Sequence, residues 1–375
     1  MKKFLSLRWL VILPGVVAYL LNQYAQYHPN WAEQYSRTAY PIVSNAVGFL
    51  PSLVKFSVSE WLAVAVLLFL PVYLGYYLHQ VIISKGDRGM AVYRASLGIV
   101  AMASVIYFCF TLLGGLNYYR DSFLAYTPYH EETYSEEELV KLCQSLADEM
   151  GQTREKIDEN HDLMLNAPDD FFYYAQQSVL SMQLLAKQYP ILERSLYSTP
   201  KPVVMSKLMS RAGIMGIFIP FTLESDINAD LPVSMIPATM THELAHQCGF
   251  MYEDEANFIS YLACRQQDDP MIRYSGLFQA FDYSISALAK VDEQKALAIV
   301  SSLPEQVRQD MIERDQYWSK YEGIVSDVSN NVNDAYLKAN NQTDGVSSYH
   351  KMVNLLLAEQ RYKWVNDYDP SPDIL

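Results

Sequence analysis

The chain has 375 residues, half of them hydrophobic, with 42 acidic against 28 basic side chains and a net charge of −14. That balance argues against nucleic acid as a partner and against docking on an anionic membrane surface. Four cysteines give no sign of a disulfide framework.

Residues 1–116 are strongly apolar, whereas 117–375 carry most of the acidic charge, so a transmembrane region and a polar domain are expected in that order. Three apolar stretches occur, Leu10–Leu21, Leu62–Ile83 and Ala95–Leu116. The second and third have the length to cross a bilayer. The first is shorter and contains Pro14. It follows Lys2 and Lys3 and lacks a small-x-small cleavage site, which predicts an uncleaved first span rather than a signal peptide. Lys2, Lys3 and Arg8 precede this segment, and Lys85, Arg88 and Arg94 lie between the other two. By the positive-inside rule both groups are cytoplasmic. Arg37 and Lys55 are sparse in the intervening loop. Three spans then leave residues 117–375 extracytoplasmic, in a multi-pass protein of the cell membrane.

Ser135-Glu-Glu-Glu138 has the form of a capping box and predicts a helix to about Met150. Further helical spacing runs over Arg154–Leu165 and Asp169–Gln188. Strand signals are confined to about Lys201–Met209 and Gly213–Phe221, where β-branched and aromatic residues sit between Gly and Pro. The domain is therefore expected to be mainly α (α+β) with a small sheet.

His242-Glu-Leu-Ala-His246 comes next. A chain of this length contains H-E-x-x-H by chance roughly once in a hundred cases, so the surroundings must decide its meaning. Pro232 and Pro237 precede it, Thr239 or Thr241 could cap its helix, and Gly249 suits a stop or tight turn after it. On a helix, residues i and i+4 share a face. His242 and His246 can thus bind one zinc ion, with Glu243 placed as general base toward a water. A third ligand is still required, and Glu253, Asp254 and Glu255 are the nearby carboxylates. From Ala256 the apolar spacing of Phe258, Ile259, Leu262 and Ala263 predicts a buried helix, with Asp254 as its N-cap. Glu255 in the first turn is the preferred third ligand and Glu253 the alternative. Cys248 and Cys264 flank the motif, but buried apolar thiols are the expected state. Helical patterns resume at Asp292–Ser302, Pro304–Tyr321, Val325–Ala339 and Ser347–Trp364.

The stretch His242–Cys264 resembles the gluzincin type of zinc peptidase, in which a second helix supplies a ligand Glu. Glu255-Ala-Asn-Phe258 is similar to the Glu-Ala-Asn-x-Phe signature of ImmA/IrrE-type peptidases, whose Glu binds the metal. Metzincins share the Gly at 249, but Tyr252 stands where they carry a third His and no Met-turn follows. More of the chain resembles a bacterial family of membrane proteins of unknown function with an HExxH domain. The matching pieces are Gly115–Arg120, Gly216–Thr222 with Glu224 and Asn228, His242–Cys264 and Asp344–Tyr349. The resemblance implies a zincin-like domain and a zinc metallopeptidase acting on a peptide or protein. It also implies that Gly213–Phe221 is an edge strand to which substrate adds. Tyr349, His350 and Arg361 are candidates for stabilising an oxyanion. The alternative is a membrane-tethered zinc-binding sensor or interaction protein with a non-catalytic site.

Overall fold

The computed structural model describes residues 7–83, 87–157, 168–342 and 351–366. Among these residues the fold is mostly helical with one three-stranded sheet. Two compact units divide it: Met1–Asp121 with Ile219–Glu224, and Ser122–Phe218 with Ser225–Leu375.

The first unit contains α1 (Leu13–Tyr27), α2 (Pro29–Ser52), α3 (Val58–Ile83) and α4 (Arg88–Leu113). Helices α3 and α4 have 26 residues each, with mean hydropathies of 1.9 and 2.1 in their most apolar windows. Both are long and apolar enough to cross a membrane, and α3 leaves Leu67, Leu68 and Val72 exposed. Among the described residues there are two such helices, not the three expected. The first apolar stretch is split between a 3-10 turn, Leu7–Ile12, and α1, whose 15 residues rise only about 22 Å. A hydrocarbon core of about 30 Å asks for more.

Polar contacts hold α1 to α4. Asn22 Nδ2 donates to Tyr107 Oη at 3.2 Å and Thr111 Oγ1 at 2.9 Å. The Gly15 amide donates to Ser104 Oγ at 2.7 Å. Helix α2, unheralded in the sequence pattern, buries Glu33, Ser36, Tyr40, Ser44 and Gly48 along one face. At the start of α3 the Glu224 carboxylate accepts from the amides of Val58 (2.9 Å) and Ser59 (2.7 Å). A carboxylate suits that position, because first-turn amides have no acceptor inside the helix.

The second unit opens with α5 (Glu136–Arg154), where Ser135 and Glu138 form the capping box, and continues with α6 (Pro168–Gln188). Residues 158–167, which include most of the expected Arg154–Leu165 helix, lie outside the described residues. The short strand β1 (Lys201–Pro202) is followed by α7 (Ser206–Arg211), β2 (Gly216–Ile219) and β3 (Glu224–Ile227). Residues 203–209, expected as strand, instead leave the sheet and turn into α7. Ser206 Oγ donates to Val203 O at 2.6 Å and accepts from Ala229 N at 2.9 Å, which fixes that departure. The strand order is β1-β3-β2, with β1 parallel to β3.

Next come α8 (Ile236–Gln247), α9 (Glu253–Arg265) and α10 (Pro270–Val291). Then follow α11 (Glu293–Ser302), α12 (Glu305–Ser319), α13 (Ile324–Ala339) and α14 (Met352–Asn366). The core is built where α8 meets α6, α9 and α10. Leu244, Ala245, Phe258, Ile259, Tyr274 and Phe281 are among its buried members. Every residue of α8 is buried, its charged ones included, so these polar groups need partners inside the fold.

Candidate metal centre

Helix α8 begins at Ile236 with Pro237 in its first turn, a position where a missing amide proton costs nothing. Thr239 and Thr241, expected as caps, lie inside the helix. Their hydroxyls donate back to the carbonyls of Met235 (2.8 Å) and Pro237 (3.0 Å). Gly249, with φ of 86°, adopts the left-handed conformation that ends the helix. The Gly249 amide bonds to His246 O and the Phe250 amide to Ala245 O, which folds the chain back under the last turn.

That reversal orients His246. Its Nδ1 lies 2.7 Å from Phe250 O, so the ring donates there and turns its Nε2 toward His242. His242 is held in the same tautomer by Asn257 of α9, whose Oδ1 lies 2.8 Å from His242 Nδ1. Gln279 of α10 donates to that oxygen as well, at 3.0 Å. The two Nε2 atoms consequently face each other at 3.1 Å.

The third group is Glu253. Its Oε2 is 3.1 Å from His242 Nε2 and 3.7 Å from His246 Nε2. Among the described residues, these three form the one His/Cys/Asp/Glu cluster that could hold a metal ion. Glu255, the expected ligand, faces elsewhere and accepts from the Phe123 amide at 2.7 Å. Where α9 starts explains the correction. The helix begins at Glu253 with Tyr252 at the N-cap position, earlier than an Asp254 cap would allow. Residues 253 and 255 are then turned about 200° apart around the axis. Asp254 is drawn into the first turn, and burial pushes its carboxyl up to about 6.

Three acceptor atoms 3.1–3.7 Å apart match the donor set of a small cation. Bonds of about 2.0–2.2 Å in a tetrahedron place ligand atoms roughly 3.3–3.6 Å from one another. The electrostatics favour positive charge. Burial alone would lower the His246 pKa, but the bond to and charge of Glu253 carry it up to about 9. Burial would raise Glu253, yet the two histidines hold it far below the usual carboxylate range.

Glu243 stands one residue from His242, buried, and its Oε2 has no hydrogen-bond partner among the described residues. Burial raises its pKa, opposed in part by the two histidines. Strand β2 passes directly over it. A Cβ added to Gly216 would lie 2.7 Å from Glu243 Oε1 and 2.8 Å from Thr239 Cγ2. Two residues on, the Phe218 ring sits 6.2 Å from the His246 ring. The strand period of two therefore turns Gly216 and Phe218 toward α8.

Other candidates lie elsewhere. Arg361 bonds to Glu138 at 2.8 Å and covers the Tyr134 ring. Tyr349 and His350 fall outside the described residues, as does Asp344–Tyr349. Cys248 Sγ is beside Tyr197 Oη (3.4 Å), and Cys264 Sγ is beside Thr241 Oγ1 (3.4 Å). Burial pushes the Cys264 thiol up to about 12, as expected of an inert buried thiol. Sequence reasoning did not assign roles to Asn257 or Gly216. It also missed Tyr283, whose phenol is raised by burial and by the charges of Asp282 and Glu253. The H-E-x-x-H spacing points to the α8 face, but nothing in it reveals which side chains of α9, α10 and β2 complete that face.

The model of a family described as "Protein of unknown function (DUF3810)" matches residues 35–357. The chain belongs to this family. No curated protein and no solved structure matches it. The family match covers α8, α9 and the whole sheet, so the candidate centre lies within the shared region.

Proposed function

We propose that this DUF3810 chain is a membrane-anchored zinc metallopeptidase. The observation that carries the reading is the convergence of His242 Nε2, His246 Nε2 and Glu253 Oε2 beside the buried carboxylate of Glu243. A site serving structure alone has no use for such a carboxylate, whose burial costs free energy. Zinc held by the three ligands would polarise a peptide carbonyl and make water more acidic. Glu243, its pKa raised by burial, accepts the proton of the attacking water and returns it to the leaving amine. Strand β2 is an edge of its sheet, so its main chain can bind an extended peptide as an added strand.

Membrane anchoring rests on α3 and α4. Lys85, Arg88 and Arg94 lie between their apolar segments. If that basic junction is cytoplasmic, the chain after α4 is extracytoplasmic whether or not α1 crosses as a third span. The centre then faces peptides on the extracytoplasmic side of the membrane.

The test is metal content and peptide cleavage by the full chain in detergent, for wild type and Glu243→Gln. Wild type should bind zinc near one equivalent and cleave. Glu243→Gln should keep the metal and lose about 10²-fold or more in rate. Wild-type protein that binds no metal, or a Glu243→Gln variant that cleaves at the wild-type rate, would refute the proposal.

A further inference from the structure

The turn that leads from β1 into α7 has its polarity reversed. Ser206 and Ser210 point inward and are buried. Ser210 Oγ lies 2.6 Å from Tyr317 Oη and accepts from Asn228 Nδ2 at 3.0 Å. With the Ser206 bonds to Val203 and Ala229, these contacts fix which face of α7 looks inward. The outward face carries Val204, Met205 and Leu208, exposed by 78%, 44% and 55%. Lys207 and Arg211 are exposed on the same turn. Scattered exposed apolar residues are ordinary. Three within five positions, on a turn that spends its serines on the interior, are not explained by packing.

We infer that this turn is a membrane-contact element: Val204, Met205 and Leu208 enter the interface of a lipid bilayer, with Lys207 and Arg211 against anionic headgroups. An apolar tip flanked by cations is the composition that an interfacial segment needs. The chain supplies its own reason for a lipid partner, since α3 and α4 are long and apolar enough to hold it at a bilayer. Charge decides the kind of surface. In a chain of net charge −14 a wide anionic contact is unfavourable, so the contact is confined to this turn, where two cations sit together. The inference rests on the membrane reading of α3 and α4.

The experiment places single cysteines at Leu208, Leu67 and Leu297 of the full chain, in a Cys109→Ser background. Each is labelled with an environment-sensitive fluorophore, and the chain is reconstituted in phosphatidylcholine–phosphatidylglycerol vesicles carrying nitroxide lipids. Leu67 reports on α3, and Leu297 is an exposed site on α11. The expected result is quenching of roughly twofold or more at Leu67 and Leu208, with Leu297 unaffected. Lys207→Glu with Arg211→Glu should reduce quenching at Leu208 alone. Quenching at Leu67 with a water-exposed label at Leu208 overturns the contact and leaves the membrane reading standing. A Leu208 label shielded from water but not quenched by lipid also overturns it, because protein then covers the turn. An unquenched Leu67 label overturns the membrane reading and the contact with it.

Discussion

Gly216 of β2 packs on Glu243 of α8 so closely that a Cβ at 216 would come within 2.7 Å of Glu243 Oε1 and 2.9 Å of its Cγ. Only the absence of a side chain lets the strand lie this near the buried carboxylate. Gly216→Ala should therefore displace Glu243 or lift β2 while leaving His242, His246 and Glu253 in place. The expected outcome is near-normal zinc content with a rate lower by roughly 10²-fold, the scale of an ångström-level misplacement. Side-by-side metal analysis and single-turnover cleavage check it. An active Gly216→Ala variant would mean that the strand does not set the position of Glu243.

The assignment of the third ligand makes a paired prediction. Glu253→Gln should lose zinc by a factor of about 10² or more, since it removes the carboxylate at 3.1 Å from His242 Nε2 on which the proposed site depends. Glu255→Leu should keep zinc and lose stability instead, by about 1–3 kcal/mol, because it leaves the buried Phe123 amide without the acceptor that Glu255 supplies. Titration with a zinc chelator separates the first effect and thermal melting the second. The reverse pattern would return the ligand role to Glu255.

These two glutamates show what the sequence could and could not disclose. The pairing of His242 with His246 needs only a helix, and the i, i+4 spacing supplies it wherever that helix begins. Choosing between Glu253 and Glu255 needs the first residue of α9, and that start is set by tertiary contacts of Tyr252 and Met251 rather than by an Asp254 cap. Strand β3 was illegible for a related reason. Its Glu224, Ser225 and Asp226 are buried, so no alternation of apolar and polar residues marks it. Glu224 is kept inside by the amides of α3, and Ser225 by Gln247 Nε2 at 2.8 Å. Helix α10 escaped because it is covered on most sides, with Tyr274, Ser275, Gly276, Leu277 and Phe278 buried in succession, which erases the one-faced pattern. The third span was over-read because an apolar run does not state how much of its length becomes one helix.

Asn257 should matter through His242. Its Oδ1 takes the Nδ1 proton of His242 and so keeps Nε2 facing the cluster, while Gln279 holds the same oxygen from α10. Asn257→Leu should lower zinc affinity by about 10–100-fold, the usual effect of losing such support. Asn257→Asp should retain binding, because a carboxylate accepts the same proton. Equal loss in both variants would point to packing, not to the ring orientation of His242.

The pH dependence of stability should be governed in part by Glu149, far in sequence from the centre. Burial would raise its carboxyl, but Arg265 and Arg273 outweigh that and hold it below the usual range. Arg273 Nη2 lies 2.7 Å away and Arg265 Nη2 3.2 Å. A carboxyl with a depressed folded pKa binds protons more readily in the unfolded chain. Its stabilisation is complete above the unfolded value of about 4.3 and is lost as pH falls through the lower folded value. Glu149→Gln should then be less stable than wild type at pH 7, on the order of 1–3 kcal/mol. The gap should narrow as the pH is taken below about 4, where the wild-type carboxyl also becomes neutral. Thermal melts of both proteins in detergent across that range measure it. A gap that stayed constant with pH would show that the carboxyl's charge is not what Arg265 and Arg273 require.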